Sequence, residues 1–246
     1  MAKLCEGRIC IVTGAGNGIG RALAAGFCED GAEVVGFGRT KASLDETGEH
    51  FGRGRFHPVV GDLANAADVE RLFDEAKRRV GKIDVLVNNG AIYPREALLD
   101  SLGGLEQALA VNVVGMARCS RLALPGMLER GYGRIINLGS FAWKRPIERA
   151  GAYSISKAAV YTLTRAVAVE VDRGRYPNVL VNELVPGAVK TSMSAEGREA
   201  KDVYPEAKTI VLLPPGGAHG ETFEDGQPVV ENQGIRARVK RLFGSG

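Results

Sequence analysis

Along the chain, short apolar runs rich in β-branched residues alternate with longer stretches whose apolar positions recur every three or four residues. The runs lie at 8–13, 33–38, 55–60, 83–87, 133–138 and 177–184. A strand with one wet face alternates polar and apolar positions. Near-continuous runs instead predict strands covered on both faces, as in a parallel sheet. Between them, 66–80 places Val69, Leu72, Phe73, Ala76 and Val80 on one helical face. An Ala-rich segment from 21 to about 29, a long stretch over 102–128 with Pro125 near its end, and the segment around Tyr153 read as further helices. Strands and helices in alternation predict a doubly wound α/β domain with a mostly parallel sheet. No linker or repeat divides it. The chain reads as a single domain over 1–246, with a last strand at 227–230 and a loose basic tail over 232–246.

Composition changes this picture only by exclusion. With 246 residues, 45% hydrophobic and 25% charged, the chain can bury a large core like any soluble domain. No run of eighteen apolar residues suggests a membrane span, and the first residues lack the apolar centre of a secretion signal. Cys5, Cys10, Cys28 and Cys119 form no Cys-x-x-Cys pair, so free thiols and a cytoplasmic location are expected. His50, His57 and His219 are scattered, which leaves neither a metal site nor a Ser-His pair. A net charge of +3 is too small to argue for nucleic acid, and the basic end at Arg236, Arg238, Lys240 and Arg241 reads as a solvated tail.

Candidate chemistry begins where the first run meets Gly14-Ala15-Gly16-Asn17-Gly18-Ile19-Gly20 and a helical segment follows. Glycines let the backbone approach a pyrophosphate, and a helix N-terminus offers free N–H groups and a positive dipole. A flexible glycine turn would use the same letters, but the flanking strand and helix favour a dinucleotide. After the second run, where an acid would accept hydrogen bonds from the ribose of NAD, the chain has Gly38-Arg39-Thr40. Glycine removes a repulsion and a guanidinium can grip a 2′-phosphate, so NADP(H) is expected in preference to NAD(H).

The fourth run ends in Asn88-Asn89-Gly90-Ala91, a small-residue turn of the kind that faces a ligand at the carboxyl end of a sheet. Asn112, within the long helical stretch, invites a polar role. Gly139-Ser140 closes the fifth run, and thirteen residues later comes Tyr153-Ser154-Ile155-Ser156-Lys157. On a helix, Tyr153 and Lys157 stand at i and i+4. An ammonium about 4 Å from a phenolate gains roughly 4 kcal/mol at an effective dielectric near 20. That would draw a phenol, which ordinarily titrates near 10, toward neutrality and make the pair a general acid/base.

Taken together, Thr13-Gly14-x-x-x-Gly18-x-Gly20, Asp62-Leu63, Asn88-Asn89-Gly90-Ala91, Asn112, Ser140, Tyr153-x-x-x-Lys157 and Pro186-Gly187 with Val189 and Thr191 resemble the short-chain dehydrogenase/reductase family. The resemblance implies a Rossmann-type sheet with strand order 3-2-1-4-5-6-7. It implies that Asn112, Ser140, Tyr153 and Lys157 form the catalytic tetrad. Gly14, Asn17, Gly18, Ile19, Gly20, Arg39, Thr40, Asp62, Leu63, Asn89, Gly90, Tyr153, Lys157, Pro186, Gly187, Val189 and Thr191 would then contact the cofactor. Tyr153 would exchange a proton with the substrate oxygen, Ser140 would bond that oxygen, and Asn112 would position a water connecting Lys157 to solvent. Relatives of this kind pair through two long helices, which implies a homodimer or homotetramer. The Gly90-Ala91 order and the absence of a closing Val-Asp-Gly-Gly depart from the family pattern.

The expected activity is an NADP(H)-dependent interconversion of a ketone or aldehyde and a secondary alcohol. The alternatives are the NAD(H)-dependent form, a silent nucleotide-sensing protein of the same fold, and a sugar-nucleotide epimerase or dehydratase. Little chain remains after Thr191 for the substrate domain of the last. Tyr93, Phe141, Trp143, Met193 and Tyr204 are the candidate pocket walls, which would make the carbonyl substrate apolar.

Overall fold

A computed structural model of the chain describes residues 3–52, 54–191 and 193–229. Eight strands form one sheet: β1 (Ile9–Thr13), β2 (Glu33–Gly38), β3 (Phe56–Val60), β4 (Val85–Asn88), β5 (Gly133–Leu138), β6 (Val179–Leu184), β7 (Thr222–Glu224) and β8 (Gln227–Pro228). Their order is β3-β2-β1-β4-β5-β6-β7-β8, and every pairing is parallel except β7 with β8. The implied order 3-2-1-4-5-6-7 is therefore observed, with one added strand. The helices are α1 (Gly18–Glu29), α2 (Lys41–Thr47), α3 (Ala66–Val80), α4 (Gly103–Ala108), α5 (Met116–Arg130), α6 (Gly151–Val169) and α7 (Tyr204–Val211).

The sheet has a core on each face, because successive residues of a strand point to opposite sides. On β1, Cys10 and Val12 join Leu23 and Phe27 of α1 and Ile210 of α7, whereas Ile11 joins Leu72 and Phe73 of α3 and Met127 of α5. All five residues of β1 and all six of β5 and β6 are buried, as their unbroken apolar patterns predicted.

Local chemistry sets the helix ends. Asn65 Oδ1 accepts from Ala67 N at 2.9 Å at the start of α3, and Lys77, Arg78 and Arg79 face its C-terminal dipole before Gly81 stops it at φ 78°.

Two expectations need correction. The stretch at 102–128 is not one regular helix: a π-helical turn over Leu109–Gly115 separates α4 from α5. This widened turn holds Asn112, whose side chain bonds the backbone of Ile92 and the Ser156 hydroxyl rather than solvent. The strand expected at 227–230 is observed over Gln227–Pro228, but it is not the strand that continues the parallel sheet. The strand that extends the parallel sheet is β7, only three residues long, and Gln227–Pro228 makes a two-residue antiparallel return. Asp225 and Gly226, at φ 49° and 74°, turn the chain between them in the left-handed conformation that a tight hairpin requires. Val230 and the basic tail lie outside the described residues.

The sheet order reverses at β1, which pairs with β2 on one side and β4 on the other. A crevice opens there beyond the carboxyl ends of the strands, where doubly wound sheets place their ligands.

Candidate active site

One wall of the crevice is the glycine loop. Gly14 and Gly18 have φ of 68° and 51°, a region side chains rarely enter. Helix α1 starts at Gly18 with no side-chain cap, so its first N–H groups point into the crevice without a partner from the chain. Thr13 locks this loop to the turn after β4. Its Oγ1 accepts from Asn89 N and Gly90 N at 3.0 and 2.9 Å, and Asn89 Nδ2 donates to Thr13 O at 2.9 Å. Arg21 closes the loop from behind, donating to Gly16 O at 2.6 Å. Such a glycine cradle at an uncapped helix start suits a pyrophosphate, and the residues fit a dinucleotide.

The crevice runs in two joined lobes. The first is lined by Gly14, Asn17, Gly38, Arg39, Thr40 and Asp62, with Leu63 and Gly90 beside them. The second is lined by Gly18, Ile19, Gly20, Asn89, Pro186 and Thr191, and ends at Tyr153 and Lys157. Arg39 is exposed at the first lobe and has no carboxylate within salt-bridge distance among the described residues. Gly187 and Val189 do not line either lobe. Gly187 turns the chain at φ 67°, and Val189 packs into the core and pairs with Arg198. Arg198 in turn bonds Pro186 O at 2.8 Å and pairs with Glu206, holding the 186–191 segment against α7.

At the second lobe the four tetrad candidates come together in pairs. Ser140 lies near enough to Tyr153 to favour its phenolate, and its Oγ accepts from Ala142 N at 3.2 Å. Lys157 is buried and its Nζ donates to Leu138 O at 2.7 Å. Asn112 is linked to the group only through Ser156, whose hydroxyl donates to the Tyr153 carbonyl at 2.7 Å. Its Nδ2 donates to Ile92 O and Ser156 Oγ, and its Oδ1 accepts from Ile92 N with a second lone pair left over.

The electrostatics differ from the expectation based on spacing. Burial pushes the Tyr153 phenol above its ordinary value, and the hydrogen bond with Ser140 offsets part of that rise. Burial brings the Lys157 ammonium down to about 8, against an opposing pull from Glu183. The two side chains share a helix face, but the ammonium turns to the Leu138 carbonyl, 5.4 Å from the centre of the Tyr153 ring. At neutral pH Tyr153 is a proton donor standing near a charged Lys157.

Of the pocket candidates, Tyr93 and Met193 lie at the crevice. The Tyr93 ring meets Tyr153 edge-on at 4.7 Å, and both Tyr93 and Met193 line its outer mouth together with Arg39 and Arg95. The other three are elsewhere. Tyr204 packs on Phe27 and donates to Asp30 at 2.6 Å, tying α7 to α1. Trp143 lies on Tyr161 with its indole N–H buried and without a hydrogen-bond partner. Phe141 sits under Lys144. Each follows a strand end or loop in sequence, but neither Phe141 nor Trp143 lines the two lobes or the outer mouth.

Residues 8–202 match the family model for short chain dehydrogenase. The chain belongs to the short-chain dehydrogenase/reductase family. The dehydrogenase is 36% identical over 224 residues to galactitol 2-dehydrogenase (L-tagatose-forming) of Cereibacter sphaeroides, covering 89% of this chain and 85% of that one. It is 33% identical over 190 residues to meso-2,3-butanediol dehydrogenase of Serratia marcescens, covering 77% and 74%. Among solved structures, 3-ketoacyl-(acyl-carrier-protein) reductase from Brucella melitensis complexed with NADH superposes with a TM-score of 0.82 at 26% identity, over 90% of this chain and 98% of that one. The dehydrogenase is thus an NAD(P)-dependent oxidoreductase acting on CH–OH and C=O groups. Among its described residues no cluster could hold a metal, and no helix is long and apolar enough to cross a membrane.

Several residues that shape this site carried no sequence signal. Ser156 and Arg198 act through side chains that look like ordinary polar positions. Arg95 has only its basic charge to mark it. Glu183 carried a signal that went unread: a carboxylate inside the otherwise uncharged run 179–184, where a buried strand has no reason to hold one.

Proposed function

We propose that this dehydrogenase uses NADP(H) to interconvert a ketone or aldehyde and a secondary alcohol. The observation that carries the reading is that Tyr153 and Lys157 line the same cleft as the glycine cradle, at its other end. Bound there, the dinucleotide supplies or accepts the hydride at the substrate carbon. Gly14, Asn17, Gly18, Ile19 and Gly20 would hold its pyrophosphate. Asp62 and Leu63 would meet the adenine, Asn89 and Gly90 would line the middle, and Pro186, Gly187, Val189 and Thr191 would shape the carboxamide end. Arg39 and Thr40 would take the 2′-phosphate, a reading supported by Gly38, by the exposure of Arg39, and by its lack of a carboxylate partner.

Tyr153 gives its proton to the carbonyl oxygen in reduction and recovers it in oxidation. Ser140 bonds the same oxygen as charge develops, a preorganised donor that needs no rearrangement during reaction. Lys157 places a positive charge beside the forming phenolate. Asn112 fixes the backbone of Ile92 and, through Ser156, the start of α6, so it acts as a positioning residue.

With three aromatic candidates outside the cleft, support for an apolar substrate rests on Tyr93 and Met193. The sugar and diol dehydrogenases among the relatives favour substrates that carry a second hydroxyl. The NAD(H) alternative is supported by the relative solved with NADH. Four buried free thiols support a cytoplasmic location, and the exposed Val114, Ile155 and Val169 support pairing through the long helices in a homodimer or homotetramer.

The test is NADPH and NADH oxidation against a panel of ketones, aldehydes and ketoses. Tyr153→Phe should lose at least about a hundredfold in kcat while retaining cofactor binding. Arg39→Ala should weaken NADPH and spare NADH. Turnover that survives Tyr153→Phe would refute the mechanism, and NADPH affinity unchanged in Arg39→Ala would refute the cofactor preference.

A further inference from the structure

Glu183 is the charged residue that the proposed chemistry leaves unused. It lies on β6 opposite Asn137 of β5, with its side chain fully buried. A buried carboxylate costs several kcal/mol unless other groups compensate, so its surroundings are informative. Thr222 on β7 donates to Oε2 at 2.6 Å, and Arg165 on α6 approaches the same oxygen at 3.9 Å. The other oxygen, Oε1, fills the space that a side chain on Gly139 would occupy: a Cβ there would stand 2.0 Å from it.

Gly139 follows Leu138, whose carbonyl receives the Lys157 ammonium. The carboxylate and the ammonium therefore meet adjacent residues at the end of β5, the one against Gly139 and the other on the Leu138 carbonyl. Lys157 faces Tyr153 on its own helix and Glu183 from β6, while Glu183 faces Arg165 from α6 and the Thr222 hydroxyl from β7.

We propose that Glu183 is a positioning residue whose carboxylate, set against Gly139 behind the cleft floor, keeps Lys157 charged and directed at the Leu138 carbonyl. Without it, a lysine this deeply buried would give up its proton close to neutral pH, and the charge beside Tyr153 would be lost across the working range. The effect of Glu183 on Lys157 has the sign this requires. The importance of Lys157 for turnover rests on the function proposed above, but its charge state does not.

The test therefore reads the lysine directly. Protein labelled with 13C at lysine Cε gives a Lys157 signal, identified by its loss in Lys157→Arg, that should titrate near 8. In Glu183→Gln the same signal should titrate lower by about one pH unit or more. The alkaline limb of kcat/KM should move in the same direction. An unchanged lysine titration in Glu183→Gln overturns the proposal. If that variant does not fold, 13C-labelled glutamate in the wild-type protein decides: an ionised Glu183 at pH 7 supports the proposal and a protonated one overturns it. A lysine that shifts in a protein with no carbonyl turnover would sink the proposed function and leave this inference standing.

Discussion

Gly20→Ala is the sharpest test of how the cleft is held. Gly20 is buried in the first turn of α1, where the backbone conformation itself would accept alanine. Space would not. A Cβ would stand 2.1 Å from the Gly14 carbonyl oxygen and 2.5 Å from Asn89 Nδ2. A carbon ordinarily meets a carbonyl oxygen no closer than about 3.3 Å, so α1 and the loop must separate by roughly an ångström. That movement opens the lock in which Asn89 Nδ2 holds Thr13 O at 2.9 Å. Overpacking of this kind costs about 1–3 kcal/mol. Each kcal/mol lowers Tm by about 2–4 °C in a chain of this size. Expressed as binding instead, the same energy weakens Kd by roughly 5- to 150-fold. Thermal melts with and without NADPH, together with a fluorescence titration of NADPH, measure both. Gly16→Ala is the control, since its nearest neighbour would be the Ser43 Cβ at 3.1 Å, a side-chain contact that can yield. Wild-type affinity and Tm in Gly20→Ala would show that the close approach of α1 to the β4 turn does not hold the cradle.

Two further outcomes follow from the burial of single groups. The folded value of Lys157, about 8, lies below its ordinary 10.5, so its ammonium costs stability at pH 7 and that cost is relieved as pH rises from 8 to 10.5. Lys157→Met should accordingly raise the stability of the free protein at pH 7 by about 1–3 kcal/mol while abolishing most turnover, with the wild type regaining ground in melts taken toward pH 10. A variant less stable by the same margin at every pH would contradict this. Trp143→Ala should lower Tm through loss of the Tyr161 stacking at 4.5 Å but change kcat/KM by less than about threefold, since the ring lies outside the cleft. A tenfold fall in kcat/KM with Tm retained would return Trp143 to the pocket.

Where backbone pattern decides, the fold was legible in the residues. The runs at 33–38 and 133–138 coincide with β2 and β5, and 66–80 coincides with α3, because buried parallel strands and an amphipathic helix each leave a period in the chain. Thr222–Glu224 escaped because three residues carry no period, and the π turn at Leu109–Gly115 escaped because its residues remain helix formers. The site shows the same division. Spacing placed Tyr153 and Lys157 on one helical face and the glycines at the crevice. It could not tell that Lys157 would find a carbonyl from β5 before it found the phenol, nor that Tyr204 would turn inward to Asp30. Those outcomes depend on elements far apart in sequence.

The carboxyl end of β5 shows why the chemistry should tolerate change in the surrounding loops. Three consecutive residues there each meet a different group: the Leu138 carbonyl takes Lys157, bare Gly139 admits the Glu183 carboxylate behind the floor, and Ser140 lies near Tyr153. Every residue from Gly133 to Leu138 is buried and paired with β6, and Arg134, Ile135, Ile136 and Asn137 are paired with β4 as well. A reacting geometry carried on such a strand is held more closely than one carried on loops. The outer mouth is different: Tyr93, Arg95 and Met193 come from segments outside the sheet, tied together by an Arg95 contact to the Met193 carbonyl at 3.4 Å. On the proposed mechanism, the groups around Tyr153 are anchored at the end of β5, and the mouth that would select the substrate is built on loops beside it. Substitutions at the mouth should exchange one alcohol for another, whereas substitutions at 138–140 should reduce turnover for all of them.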